Sequence, residues 1–387
     1  METTKRDDIL EHAAQIKQLV HDPNSFLTEL VVQQQQYHCI AWLCHFDVLS
    51  YIPLPPSSIP YSTVAEKGKL PISKLKSISR MAMTSGFLVE TDDGNLSHNS
   101  LSAPFIRDIH LKTQLLHMFT QTVPLMRGMA PATEKWGDTV EKNKTAYNYI
   151  HQTDLPFFKH LESRADLSKG FDNFMRSRAV SHTGSKAEYL LESFDWSSLG
   201  KGIVVDVGGS SGSTAIMLAK ANPELNLIVE DLSGPIGNAK ARISELSKDI
   251  GSRIDAIEHN FFSAQPVKGA DIYLLRTILH DWADPDAVKI LKEIVDAMTP
   301  SSCLLIMDMI LPKPGSVSSI YEAALRQKDL TMIQTFNAKE REEDEWRALL
   351  TKADTRLRID AIKRPAGSEL SVIVAVLDPT IKDVSLA

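Results

Sequence analysis

Past residue 200 the chain alternates short, wholly apolar runs with amphipathic stretches. Ile203 to Val207 reads as a strand buried on both faces, Gly208 to Gly212 as a tight loop, Ser213 to Ala221 as a helix and Leu225 to Val229 as a second strand. The rhythm continues through Arg253 to Ile257, Asp271 to Leu275 and Cys303 to Met307, and the pair Thr355 to Ile362 and Leu370 to Leu377 closes the series. Seven strands with intervening helices predict an α/β, doubly wound sheet, whose ligands sit at the strands' carboxyl ends. Those ends carry the glycine loop, then Glu230 and Asp231, His259-Asn260-Phe261-Phe262, Arg276 to Asp284, and Asp308.

The first half has a different period. Ile9, Ala13, Ile16 and Val20 keep helical spacing, and a second, more apolar helix runs from Phe26 to Phe46 after the Asp22-Pro23-Asn24 break. From Ser62 to Ser100 the order is helix, helix and two short strands around an Asp92-Asp93-Gly94 turn, the layout of a winged helix. Residues 101–200 are helical and rich in large side chains, among them Met126, Met129, Phe174 and Met175. Most of these fill a core, yet clustered methionine and aromatic groups also line adaptable apolar pockets. His117 and His182 are the polar exceptions, and Phe194 to Gly200 reads as a linker. The expected division is 1–105 helical and winged-helix, 106–200 substrate pocket and linker, and 201–387 a catalytic, Rossmann-like domain.

Composition narrows the classes. With 387 residues and 43% hydrophobic content the chain can bury more than one core. Lys and Arg number 42 against 49 acids, a net −7, so the winged helix points to packing or dimerisation and not to nucleic acid. Cys39, Cys44 and Cys303 form no even framework, no run approaches a membrane span, and METTKRDDILEH has no signal-like apolar core. These features point to a soluble, cytoplasmic protein. His38, Cys39, Cys44 and His45 lie on one helix whose two thiols diverge, so no metal is expected.

Three readings compete for the loop Asp206-Val207-Gly208-Gly209-Ser210-Ser211-Gly212. Its spacing is not that of pyrophosphate-binding loops, and Asp206 at the strand end would repel phosphates. Gly208 to Gly212 also satisfies the G-x-S-x-G elbow with Ser210 as nucleophile, and a purely structural turn is the third reading. Acids ending both strands suit a cationic ligand with a ribose, which describes S-adenosylmethionine (SAM).

The runs VVDVGGSSG, LLRTILHDWADPDAVKILKEI, DMILPKPG and FNAKEREEDEW, with WGDTVEKNKTAYNYI and FDW, resemble plant and fungal SAM-dependent O-methyltransferases of the caffeate type, chiefly the fungal secondary-metabolism branch. The resemblance covers the chain from about residue 25 onward. It implies a homodimer built by the winged-helix half, and a small aromatic or polyketide-type substrate. It also implies that Asp206, Gly208, Gly209 and Gly212 pass beneath the amino-acid part of SAM, that Asp231 holds the ribose, that Asn260 and Phe261 face the adenine, and that Arg276 stands near the sulfonium. His280 would be the general base, with Asp308 and Glu340 flanking it. His117, Met126, Met175, Asp281, Met332 and Phe336 would meet the substrate. A phenol near pKa 10 is a poor nucleophile at neutral pH, so an imidazole that takes its proton during transfer suits the chemistry.

Three positions depart from the family pattern. Ser210 replaces a glycine, Asn260 replaces an aspartate, and the acid paired with His280 is expected to be the shorter Asp308. The resemblance extends to leporin-type pericyclases, which keep SAM without transferring its methyl and carry a histidine aligned with His117. A pericyclase on a polyketide or pyridone alkaloid is therefore the alternative function.

Overall fold

Asp22 starts the second helix by chemistry its neighbours supply. Its carboxylate accepts from the Asn24 and Ser25 N–H groups, Ser25 closes a reciprocal capping box, and Pro23 sits where its missing N–H costs nothing. Helices Thr3–Val20 and Pro23–His45 are followed by Tyr61–Gly68 and Ile72–Met83. The computed structural model describes residues 3–181 and 183–381, so His182 lies outside the described residues.

Three short strands, β1 (Ile59–Pro60), β2 (Val89–Glu90) and β3 (Asn95–Ser97), form a small antiparallel sheet in the order β1-β3-β2. Leu43, Val64, Leu75, Leu88 and Leu96 fill the core beside it. Glu90 is tied to both helices, accepting from Tyr61 Oη at 2.8 Å and from Arg80 at 2.8 and 2.9 Å. By packing, residues 1–130 and 158–181 form one unit and 131–157 and 182–387 the other, so the helical stretch 106–200 contributes to both.

In the second unit β4 (Ile203–Val207), β5 (Asn226–Asp231), β6 (Ile254–Glu258), β7 (Ile272–Arg276) and β8 (Cys303–Asp308) run parallel. Two isolated short strands, β9 (Ile310–Leu311) and β10 (Arg341–Glu342), pair in parallel with each other. The final strands β11 (Leu357–Lys363) and β12 (Ser371–Leu377) join the large sheet antiparallel, giving the order β11-β12-β8-β7-β4-β5-β6. The apolar runs are continuous because both faces are covered. Val204, Leu227 and Leu274 pack on one face, while Val205, Tyr273 and Leu304 pack on the other. Trp196, read from sequence as part of a linker, is only 4% exposed and donates its indole N–H to the Leu190 carbonyl at 2.8 Å, so that stretch is anchored in the core.

Candidate active site

β4, β7 and β8 lie side by side, so the loops leaving their carboxyl ends converge. After β4, Gly208 and Gly212 take φ of +75° and +72°, where a Cβ is disfavoured. A Cβ on Gly208 would meet Ile278 Cδ1 at 2.6 Å, and one on Gly209 would meet Asp206 Oδ2 at 2.6 Å. Ser210 adopts φ +52° in spite of its side chain. The Asp231 carboxylate holds this bend by accepting from the Ser210 N–H at 2.8 Å, and its other oxygen accepts from the Leu232 N–H at 2.7 Å. Glu230, one residue earlier on β5, is buried and its side chain bonds Gln265 at 2.8 Å, while its carbonyl accepts from the Gly208 and Gly209 N–H groups at 2.8 and 3.0 Å. Burial raises the Asp231 pKa against the opposing pull of these two N–H groups.

The loop fits a ligand with both charges. Asp206 is buried, its Oδ2 has no partner, and burial raises its pKa to about 7. Arg276 at the end of β7 is half-buried with an unpartnered, buried Nε; burial lowers its pKa while Asp206, Asp308 and Glu188 hold it up, and its Nη2 donates to the Ser185 carbonyl. One unfulfilled acceptor and one unfulfilled donor beside a glycine cradle match the zwitterionic amino-acid end of SAM. Asn260 uses its Oδ1 to accept from the Phe262 N–H at 3.1 Å, and Phe261 packs on Phe262.

β7 ends in a strained bend: Thr277 has φ +53° and donates its N–H to the Met307 carbonyl at 3.0 Å. A 3-10 turn, Leu279–Asp281, then carries His280 back over β8. The parallel pairing of Arg341 with Ile310 brings Glu340 alongside Asp308, and Asp329 fixes the Glu340 N–H at 3.0 Å. His280 Nδ1 lies 2.9 Å from Glu340 Oε1 but 3.8 Å from Asp308 Oδ1. The direct partner is therefore Glu340 and not Asp308, because the longer side chain reaches from β10 what the shorter one, rooted at the β8 end, does not. Asp308 is fully buried, and neither of its oxygens accepts a hydrogen bond. Asp281 Oδ1 stands 3.6 Å from His280 Nε2, so it shapes the field around the imidazole.

These carboxylates govern the imidazole. Burial would lower the His280 pKa, but Asp308, Glu340 and Asp281 outweigh it and raise it to about 10. Burial raises Asp308 to about 7 despite His280 beside it.

Of the residues expected at a substrate, Asp281, Met332 and Phe336 belong to the second unit, and Phe336 packs edge-on to Phe157 at 5.3 Å. His117, Met126 and Met175 belong to the first. His117 ends helix Ile109–His117 where a π-turn, Met118–Thr122, begins, and stacks on Phe174 with ring centroids 4.0 Å apart. Burial lowers its pKa to about 4, so it is neutral at physiological pH.

Sequence reasoning missed Arg341. Fully buried, it donates to the Leu279 and Trp282 carbonyls at 2.9 and 2.8 Å while Asp284 holds it at 2.9 and 3.0 Å. Its one signal was a cation placed directly after Glu340 in FNAKEREEDEW.

The family model for the O-methyltransferase domain matches residues 134–356. The chain is 67% identical over 378 residues to O-methyltransferase fsr2 of Gibberella fujikuroi, covering 98% of each chain. It is 40% identical over 376 residues to O-methyltransferase VdtC of Byssochlamys spectabilis, covering 97% of this chain and 86% of that one. Among solved structures, LepI in complex with SAM aligns with a TM-score of 0.76 at 22% identity, covering 97% of this chain and 95% of that one. OxaC in complex with sinefungin and meleagrin aligns at 0.78 and 21%, covering 96% and 93%. At such identity the structural likeness concerns the fold.

Proposed function

Because this chain belongs to the O-methyltransferase family, we propose that the oxygen it methylates is a phenol or enol hydroxyl of an aromatic or polyketide-type metabolite, with His280 as the general base. Its reaction is SAM-dependent O-methylation of a secondary metabolite. The observation that carries the finer reading is the hydrogen bond from His280 Nδ1 to buried Glu340, which leaves Nε2 to the acceptor. When bound, SAM supplies the methyl group and a positive charge that opposes the carboxylate field at this site.

The chain's own residues do the rest. Gly208 to Gly212, Asp206 and Arg276 bind the amino-acid end, and Asp231 accepts from the ribose. Glu340 fixes the imidazole and, with Asp308, stabilises the imidazolium once Nε2 has taken the acceptor's proton. Within the second unit, Met332 and Phe336 supply apolar surface for the acceptor.

The pericyclase alternative asks His117, Arg276 or His280 to polarise a substrate carbonyl. A neutral His117 is a weak donor for that purpose, and the base with its buried acids has no evident use there. Product mass decides between them. Purified protein incubated with SAM and a dihydroxynaphthalene, or with extract of the producing organism, is expected to yield S-adenosylhomocysteine and a product heavier by one methylene unit. Product of unchanged mass, or one that has lost water while SAM stays intact, defeats methyl transfer.

The assembly proposed is a cytoplasmic homodimer. No described helix is long and apolar enough to cross a membrane. Yet Ile9, Ile16, Leu19 and Val20 on the first helix and Phe26, Leu27 and Val31 on the second are exposed by half or more, which is far more apolar surface than a lone domain leaves wet. A second copy covering these two helices explains it. Sedimentation at micromolar concentration is expected to give twice the chain mass, and a monomer there contradicts the proposal.

A further inference from the structure

The turn that carries His280 is held through its carbonyls. Outside a regular ladder such groups need other donors, and here two cations supply them. Arg341 takes the Leu279 and Trp282 carbonyls. Lys142 takes one of the two between them, donating from Nζ to the Asp281 carbonyl at 3.0 Å. The same ammonium sits 2.8 Å from the centroid of the Trp282 ring. That ring packs edge-on to Phe261 and Phe262, with centroids 5.6 and 4.6 Å away.

Lys142 comes from a loop between the Val123–Trp136 and Ala146–His151 helices, and the loop is itself tied down. Asn337, in left-handed conformation at the end of the Ser319–Phe336 helix, donates to the Glu141 and Lys144 carbonyls at 2.8 and 3.2 Å, on either side of Lys142. A sequence-distant loop is thereby anchored so that one lysine can reach the base's turn.

The two cations differ in kind. Arg341 is locked by Asp284 and stays charged at any working pH. Lys142 has a flexible stem, and burial lowers its pKa to about 8 against the attraction of Asp281 on the turn and Asp286 on the Asp284–Val295 helix, where Lys289 also pairs with Asp286. A neutral amine keeps a weak hydrogen bond but loses the attraction to the indole face.

We propose that Lys142 is a positioning residue for methyl transfer, its ammonium clamping the Asp281 carbonyl and the Trp282 ring so that the 279–282 turn holds His280 toward the acceptor. The proposal rests on the reading of His280 as the base. Lys142 does not itself touch the reacting atoms. A half-buried ammonium still loses part of its hydration, and a methionine would fill the same space without that cost, so the charge is the feature that requires a use.

The test combines tryptophan emission with turnover. The chain has five tryptophans, so Trp282→Phe identifies the contribution of that ring. Wild-type emission is expected to step with a midpoint near pH 8, and the step should vanish in Trp282→Phe, Lys142→Met and Lys142→Arg. With SAM and a dihydroxynaphthalene, Lys142→Met should lower kcat about tenfold while the SAM dissociation constant, read by calorimetry, moves by less than about threefold. Lys142→Arg, which keeps charge and stacking, should restore kcat to within about threefold of wild type. An emission step that persists in Lys142→Met, a Met variant with wild-type kcat, or a folded Arg variant as impaired as the Met variant overturns the clamp. The emission arm needs no acceptor, so loss of the base assignment and loss of the clamp give different results.

Discussion

Replacing His280 with alanine is expected to lower turnover by about 10²–10⁴-fold while SAM affinity stays near that of wild type, because general-base catalysis contributes that much and the imidazole is not among the groups proposed to hold the cofactor. Protonation state gives the prediction a second signature. With the His280 pKa raised to about 10 by Asp308, Glu340 and Asp281, the free enzyme carries an imidazolium at neutral pH, and only its deprotonated form is a base. The rate constant kcat/KM should accordingly climb as pH rises from neutral toward about 10. Glu340→Gln removes one of the charges that raise the pKa, so the rising limb should move to lower pH. Its plateau should also fall, since an amide stabilises the imidazolium less well than a carboxylate. His280→Ala should lack the limb altogether. A His280→Ala enzyme with wild-type turnover, or a Glu340→Gln limb displaced to higher pH, rejects the assignment.

The sheet was legible because parallel strands covered on both faces must be apolar at every position. The first strand has the bounds read for it, Ile203–Val207, the fifth, read as Cys303 to Met307, ends one residue later at Asp308, and the rest shift at one end or both by a residue or two. His280 and the acids beside it were legible only through family motifs, and the pairing within them was not. Whether Glu340 or Asp308 bonds His280 depends on the two-residue pairing of β9 with β10, which leaves no periodic trace. Thr277, Arg341, Asn337 and Lys142 escaped for a related reason. They act on backbone carbonyls or adopt uncommon φ values, and neither leaves a pattern of hydrophobic and polar residues. At His117 the sequence leaves a structural histidine and a substrate contact both open; the ring stacks on Phe174, and burial lowers its pKa to about 4.

Asp231→Ala should weaken SAM binding by roughly ten- to a hundredfold. The carboxylate has capacity for about four hydrogen bonds, and the loop uses only two, from the Ser210 and Leu232 N–H groups. What remains can accept from ribose hydroxyls, and a hydrogen bond to a charged group is worth about 1.5–3 kcal/mol, the stated range in affinity. Part of the loss has another origin. Without the Asp231 acceptor, Ser210 loses the bond that offsets its φ of +52°, and the glycine loop is less well held before SAM arrives. Adding Ser210→Gly to Asp231→Ala separates the two contributions, because glycine takes that φ without strain. The double variant should recover the share due to loop order and keep the share due to the ribose. Calorimetric titration reads both, and an Asp231→Ala protein that binds SAM with unchanged affinity removes Asp231 from the site.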